Sequence, residues 1–430
     1  MALTGRAALA ALAGAALILA FRASALIIAV NAVLVAAIGA DVVLAAPVRA
    51  LRFTRSGDVR CLLGERASVG LAVTNPNRRT LRAEIRDAWQ PSAGALPAHV
   101  RVRIAAGGQA WLTTTLAPDR RGDKVPAVVT VRSIGPLGIA ARQGKHPVPW
   151  TVRVLPPFRS RRHLPEKLSR LRQLDGQHRA LRRGQGSEFD SLREYVIGDD
   201  VRSIDWRATA RRGDVMVRTW RPERDRQILV MLDTGRTSAG RVGGVPRLDA
   251  AMDATLLLTA LASRAGDRVD MIAFDRRLRA RVVGAPRSAV LSAVAQAMAG
   301  IEPELVETDA AALSSAALTT ARHRCLIVLL TDLNPAAIEE GLLPRLPLLA
   351  ARHEILVAAV ADPALTEMAS GRATAADIYD AAAAEQALAM RQRVSSLLQR
   401  RGAHVVDAPP DRLPPALADT YLTLKATGRL

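Results

Sequence analysis

Residues 227–238 read QILVMLDTGRTS. The five apolar positions Ile228 to Leu232 run without alternation and end on Asp233, after which come a glycine and hydroxyl-bearing residues. A short continuous apolar run of this kind is a strand buried on both faces, which suits a parallel sheet better than a half-exposed antiparallel one. The chain beyond repeats the unit. A helix is expected near 248–264, its apolar face carrying Leu248, Met252, Thr255 and Leu258, then a strand at Val269 to Phe274 and a helix near 286–299. A strand at 325–330, a helix near 335–350, a strand at 355–360, a helix near 381–401 and a strand near 404–406 follow. Such alternation implies a doubly wound, mostly parallel α/β sheet over 226–430.

In open sheets of this class ligands bind beyond the carboxyl ends of the strands, where the strand order switches. Asp233 follows the first strand, Asp332 follows the strand at 325–330 after Thr331, and Asp362 follows the next. Carboxylate oxygens gathered there suit a hard divalent cation such as Mg²⁺. The competing reading is that each Asp caps a helix or holds its loop.

Upstream the pattern changes. From about Asp58 to Leu155 apolar residues alternate with period two, as in Val69, Leu71 and Val73, in Leu81, Ala83 and Ile85, and in Val100, Val102 and Ile104. With Asn75, Pro76 and Asn77 as a turn and Gly107, Gly108, Asp119 and Gly122 as later punctuation, this reads as an all-β, sandwich-like module over 58–155. Pro156 and Pro157 close it. The stretch 156–225 is an Arg-rich connector in which Leu164, Leu168, Leu171 and Leu174 recur at helical spacing, fitting a short amphipathic helix against the body, a partner or a bilayer interface.

Residues 7–21 are apolar or small, and a second apolar run extends from Ala25 to Ala46 with Asn31 and Asp41 as its strongly polar members. Two membrane spans within 1–48, turning at Arg22, Ala23 and Ser24, account for both runs, with a cleaved signal peptide as the rival for the first. Arg49, Arg52, Arg55 and Arg60 crowd the exit of the second span. The positive-inside bias therefore places both ends of the hairpin, and the soluble body, in the cytoplasm.

The formal charge is +20 over 430 residues. Lysine stands only at Lys124, Lys145, Lys167 and Lys425, so the basicity is almost all arginine. Aromatics make up 3% of the chain, too few for the stacking platforms of a single-strand nucleic-acid reader, so a membrane surface ranks above nucleic acid as the anionic partner. Cys61 and Cys325 lie far apart in unlike contexts and read as core thiols rather than a disulfide pair. No Gly-x-x-x-x-Gly-Lys-Ser/Thr run occurs, Gly184-Gln185-Gly186 is too short to cradle phosphate, and the seven histidines form no close pair.

Between 184 and 211 stand Gly186, Glu188, Phe189, Leu192, Arg193, Tyr195, Gly198, Asp199, Arg202, Ile204, Asp205, Trp206 and Arg211. This set resembles the signature of the domain-of-unknown-function 58 family, and Gly135, Pro136, Leu137, Gly138 and Ile139 resemble that family's motif at the end of its β module. The loop from Asp233 to Ser238 resembles the first motif of von Willebrand factor A domains, with Gly235 where the first serine should stand. What the resemblance implies is a metal site of Asp233, Thr237 and Asp332, with Thr308 as a candidate for the middle threonine, and Mg²⁺ or another divalent cation as the only cofactor. It also implies a non-enzymatic adaptor of the bacterial cytoplasmic membrane that assists a MoxR-type AAA+ ATPase in acting on client proteins. Glu188, Arg193, Tyr195, Asp199, Arg202, Asp205, Trp206 and Arg211 would be a partner surface or a charge network bracing the connector, with Phe189, Tyr195 and Trp206 expected in its core. The alternatives are a Mg²⁺-dependent phosphotransferase or phosphatase using Asp233 as nucleophile, without a second Asp two residues on, and a nucleic-acid binder through the connector.

Overall fold

The computed structural model describes residues 2–21, 24–181, 188–197, 199–221 and 226–430, with side chains described except at 24, 175–181, 188–191 and 219–221. The chain is multi-domain: it divides into two compact units, Met1–Pro157 and Phe158–Leu430.

In the first unit two apolar helices, Gly5–Phe21 and Ser24–Leu44, precede the β-structure. One stretch, Ala25–Leu44, is long and apolar enough to cross a membrane, with mean hydropathy 2.4 over its best window; the first helix is shorter, at 17 residues. The helices touch at Gly14, where an added Cβ would come within 2.6 Å of Val30 Cγ1. Small residues permit this close approach of apolar helices. The polar interruptions of the second helix are both answered: Asn31 donates to the carbonyl of Ile27, and Asp41 is fully buried.

The β-structure is built from a five-stranded sheet, a four-stranded sheet and a three-stranded sheet. The five-stranded sheet runs in the order Ala2–Leu3, Ala140–His146, Pro126–Ile134, Leu81–Trp89, Val100–Ile104. In the strand Leu81–Trp89 every second residue is buried, so Leu81, Ala83 and Ile85 join Leu71, Val73, Val129 and Val131 in one core. The expected turn residue Asn75 is itself buried, donating to the carbonyls of Arg79, Ile104 and Ala105.

Asp41 ties the long apolar helix to this module. Its carboxylate accepts the backbone N–H groups of Leu137, Ile139 and Ala140 at 2.7–2.8 Å. Gly135 is required there, because a Cβ would land on that carboxylate. Arg142 Nε and Arg79 Nη1 donate to the last carbonyls of the helix, Val42 and Val43, a favourable place for cations. The 135–139 motif is thus a socket for the helix end. One sequence reading is corrected: Arg55, counted among the charges at the helix exit, is buried inside the β-structure, paired bidentately with Asp87 at 2.6 and 2.8 Å.

The second unit contains a six-stranded sheet in the order Leu278–Val282, Arg268–Phe274, Gln227–Asp233, Leu326–Leu330, Glu354–Val360, His404–Ala408. All neighbours pair in parallel except the Leu278–Val282 edge strand. The helices Arg247–Arg264, Val290–Ala299 and Leu413–Ala426 contribute to one apolar cluster. Ala310–Thr320, Leu346–Ala350 and Ala375–Arg400 contribute to another. Strand order reverses between Gln227–Asp233 and Leu326–Leu330, so the loops after these two strands frame the crevice.

The connector belongs to this unit. Leu171 is buried in the α/β core, with Leu164, Leu168 and Leu174 packed against it, so the leucine stripe covers its own unit. Lys167 and Arg170 pair with Asp419, and Ser160 donates to Asp253. The sequence reading missed the helices Ala310–Thr320, Pro363–Ser370 and Leu413–Ala426 and the edge strand. The helix expected near 335–350 is instead a wide turn, Ala337–Leu342, and a short helix, Leu346–Ala350. Pro347 explains the break, since a helix does not run through a proline undisturbed.

Candidate interaction site

The signature forms a small body of its own. Strand Glu188–Glu194 pairs antiparallel with Met216–Arg221, and the chain between them makes a short turn and the helix Trp206–Arg212. Asp205 organises it: its carboxylate accepts from the N–H groups of Arg207 and Ala208 as a helix cap and pairs with Arg218. Those amides and that guanidinium hold its pKa below the ordinary carboxylate value. Asp199 pairs with Arg193 at 2.6 Å and accepts from Val196 N, which lowers its pKa too. Gly213, at φ +84°, ends the helix in the left-handed region.

The charge network expected from the signature is therefore present in part, with Arg218 as the partner that sequence reasoning missed. Arg202, Arg207 and Arg211 are exposed. Gly184, Gln185, Gly186 and Gly198, and the side chains of Glu188 and Phe189, lie outside the described residues. The expectation that the aromatics form a core is overturned for Trp206, which is 68% exposed, and Tyr195 is 36% exposed. Ile197 is 97% exposed, with Val196 and Val201 also open to solvent. Met216 and Val217 are buried instead. The reason is local: Asp205 must face inward to cap its helix and meet Arg218, and the adjacent Trp206, the first helical residue, is left on the outside.

In the crevice Asp233 is buried, and its oxygens are fully engaged. Oδ1 accepts from Gly235 N at 2.9 Å and Thr308 Oγ1 at 2.5 Å; Oδ2 accepts from Thr331 Oγ1 at 2.6 Å and Thr237 Oγ1 at 3.4 Å. A carboxylate offers about four lone-pair positions, and here four donors meet them. Gly235 makes this possible, because a Cβ at that position would collide with the Thr308 hydroxyl. Asp332 is engaged by cations: Arg391 Nη1 donates at 2.6 Å and Arg247 Nη1 at 3.1 Å.

Arg391 also grips Asp407 and donates to the carbonyl of Val360. Burial alone would lower the Arg391 pKa, but Asp407 and Asp332 outweigh it and raise it. Arg247 Nε is buried without an acceptor among the described residues. Asp362 takes the capping role, accepting from Ala364 N. Thr234 Oγ1 and Arg279 meet the buried Asp275 beside the crevice. The donor set does not fit a divalent cation: the oxygens of Asp233 are spent on hydroxyls and an amide, and those of Asp332 on guanidinium groups. Among the described residues no group of three or more His, Cys, Asp or Glu is placed to hold a metal.

Cys325 and His353 lie 3.4 Å apart in the core. Burial, reinforced by Asp270, pushes the thiol up to about 12, and burial with the nearby Arg352 lowers the imidazole pKa. Both side chains are buried in the core, out of reach of a substrate from solvent.

An uncharacterized protein of Mycobacterium tuberculosis and one of Mycobacterium bovis are each 30% identical over 203 residues, covering 45% of this chain and 61% of their own. The chain thus spans less than two thirds of the length of these relatives. Among solved structures, the CARDB domain of a Pyrococcus furiosus protein is 14% identical over 24% of this chain and 87% of its own, with TM-score 0.19. A FixG-related protein of Vibrio parahaemolyticus is 11% identical over 25% of this chain and 98% of its own, with TM-score 0.17. Residues 191–402, from the second half of the signature's first strand through the long helix Ala375–Arg400, match the model of the family described as protein of unknown function DUF58.

Proposed function

We propose that this chain is a non-enzymatic scaffold of the bacterial cytoplasmic membrane, anchored by its two apolar helices with its two soluble parts in the cytoplasm. It presents a von Willebrand factor A-like domain and the signature body to a MoxR-type AAA+ ATPase, and helps that ATPase act on a client protein. The observation that carries this reading is the exposure of four large apolar residues within eleven positions of the signature, Val196, Ile197, Val201 and Trp206, with exposed Arg202, Arg207 and Arg211 among and after them in the chain. Exposed large apolar side chains mark interaction sites where they gather, and Trp and Arg are among the residues most often found at the energetic centre of interfaces. These exposed arginines, which have no acidic partner among the described residues, favour an acidic partner surface.

The sheet order and the Asp233 loop support the von Willebrand factor A-like reading. Engagement is metal-independent, because the two carboxylates of the crevice are already satisfied. The same geometry disfavours a phosphotransferase: a nucleophilic carboxylate needs a free oxygen facing substrate, and Asp233 is buried with four donors on it.

The test is capture of a MoxR-type AAA+ ATPase from the same organism by the full-length chain in detergent. Wild type is expected to retain it, and Ile197→Ser with Trp206→Ala to lose it at least tenfold while melting at the wild-type temperature. Equal capture by wild type and variant, or none by wild type, defeats the reading.

A further inference from the structure

The outer side of the five-stranded sheet carries a charge pattern that nothing in the scaffold reading uses. In Leu81–Trp89 the residues between the core positions are Arg82, Glu84 and Arg86, which face outward because successive side chains alternate across a strand. Register then assembles the face. Arg82 stands opposite Arg103; Glu84 stands between Arg101 and Arg132; Thr130 stands between Arg86 and Lys145. Six cations, Arg82, Arg86, Arg101, Arg103, Arg132 and Lys145, thus share a face with the single carboxylate Glu84. That carboxylate lies 3.6 Å from His99. Arg132 Nε donates to Gln143 rather than to an acid. Like charges directly opposite one another destabilise a sheet, as at Arg82 and Arg103, and the excess of cations over carboxylate makes the whole face attractive to anions from outside.

The face is also shaped to receive one. Arg86, Thr130, Arg132, Gln143 and Lys145 line a shallow groove of about 290 Å³, with Glu84 and His99 also in its lining. Three cations outnumber the one carboxylate of the groove and, with a hydroxyl and an amide beside them, match a phosphate, which takes charge-assisted hydrogen bonds on several oxygens at once.

We propose that this groove binds the phosphate of an anionic phospholipid headgroup, and so fixes how the β-structure meets the bilayer surface. The proposal rests on the membrane anchoring proposed above. What selects a lipid over a free anion is continuity within this unit. The strand that contributes Gln143 and Lys145 is the one to which the end of the long apolar helix is joined: Asp41 accepts from Ala140 N, Arg142 donates to Val42, and Val48 lies where a Cβ on Gly144 would be. Basic residues just cytoplasmic of a span are drawn to anionic leaflets at about 1 kcal/mol each near the surface.

The scarcity of lysine provides a site-specific readout. The full-length chain is reconstituted in nanodiscs of phosphatidylcholine alone or with phosphatidylglycerol, and acetylation of Lys145 by an amine-reactive ester is followed by mass spectrometry, with Lys425 as internal control. Lys145 is expected to react at least about threefold more slowly when phosphatidylglycerol is present, a difference that Arg86→Gln with Arg132→Gln removes while leaving the melting temperature unchanged. Equal rates in the two discs overturn the proposal. So does equal protection by inorganic phosphate added to phosphatidylcholine discs, which would assign the groove to a soluble anion, and so does protection that persists in the double variant. A chain that stays out of the discs defeats the anchoring reading instead; the groove is then read by the same labelling with phosphatidylglycerol vesicles added.

Discussion

Gly235 stands where a serine hydroxyl is expected, and the structure gives the reason in Thr308, whose hydroxyl fills that space and bonds Asp233 directly. Gly235→Ser should therefore destabilise the chain by about 1–3 kcal/mol, the cost of displacing a buried hydrogen-bond partner, seen as a lower urea midpoint with unchanged slope. For the same reason calorimetry of the wild-type chain with Mg²⁺ should give no saturable heat; a binding isotherm abolished by Asp233→Ala would contradict the assignment. Asp275 provides a pH test. Burial works against its charge, but the N–H groups of Arg277 and Arg276, the Thr234 hydroxyl and Arg279 prevail and lower its pKa from the ordinary 3.8. A depressed carboxylate pKa gives stability that is whole above 3.8 and fades as pH falls through the lower folded value. Denaturation followed from pH 5 downward should thus show a steeper acid loss in wild type than in Asp275→Asn. Asp233 and Asp332 were legible as strand-end carboxylates. The arginines that hold Asp332 were not, because Arg247 and Arg391 lie 85 and 59 residues from it and no spacing rule joins them.

At the scale of elements, the apolar and hydroxyl pattern located strands well and helices unevenly. Strands at 228–232, 269–274, 326–330 and 355–360 announce themselves as β-branched or aliphatic runs. Ala310–Thr320 does not, being alanine-rich with little contrast between its faces, and its start is visible only in the Asp309 cap. The signature could be recognised, but not oriented: Trp206 was read as core because large aromatic residues usually are, whereas among the described side chains of the signature the buried ones are Met216 and Val217. Truncating exposed side chains costs little, so the Ile197→Ser, Trp206→Ala variant should unfold within about 0.5 kcal/mol of wild type. Circular dichroism melts of the two proteins check that its loss of ATPase capture comes from the surface and not from the fold.

On the scale of the whole molecule, the helix and the β-structure of residues 1–157 are interdependent. Arg55 neutralises Asp87 in the β core, the strand Arg52–Gly57 completes a sheet, and Asp41 satisfies three loop amides. A fragment beginning at Asp58 removes all three. Breaking a buried ion pair by deleting one partner costs about 3–5 kcal/mol, so that fragment should melt well below one beginning at Ala45, which keeps Arg55 and the strand. Equal melting temperatures would show that the pair contributes little. Sequence alone determined the apolar run long enough for a bilayer, the period-two strands of the β-structure, and the strand and helix alternation of the carboxyl-terminal part. These depend on local periodicity and composition, which any window of the chain displays. Tertiary structure alone decided that Asp233 is closed by hydroxyls, that Asp332 is held by two distant arginines, that Asp41 seats in the 135–140 loop, and that the signature turns Trp206 to solvent. Each of these is a contact, or a missing contact, between segments far apart in sequence, and periodicity carries no record of which segments meet.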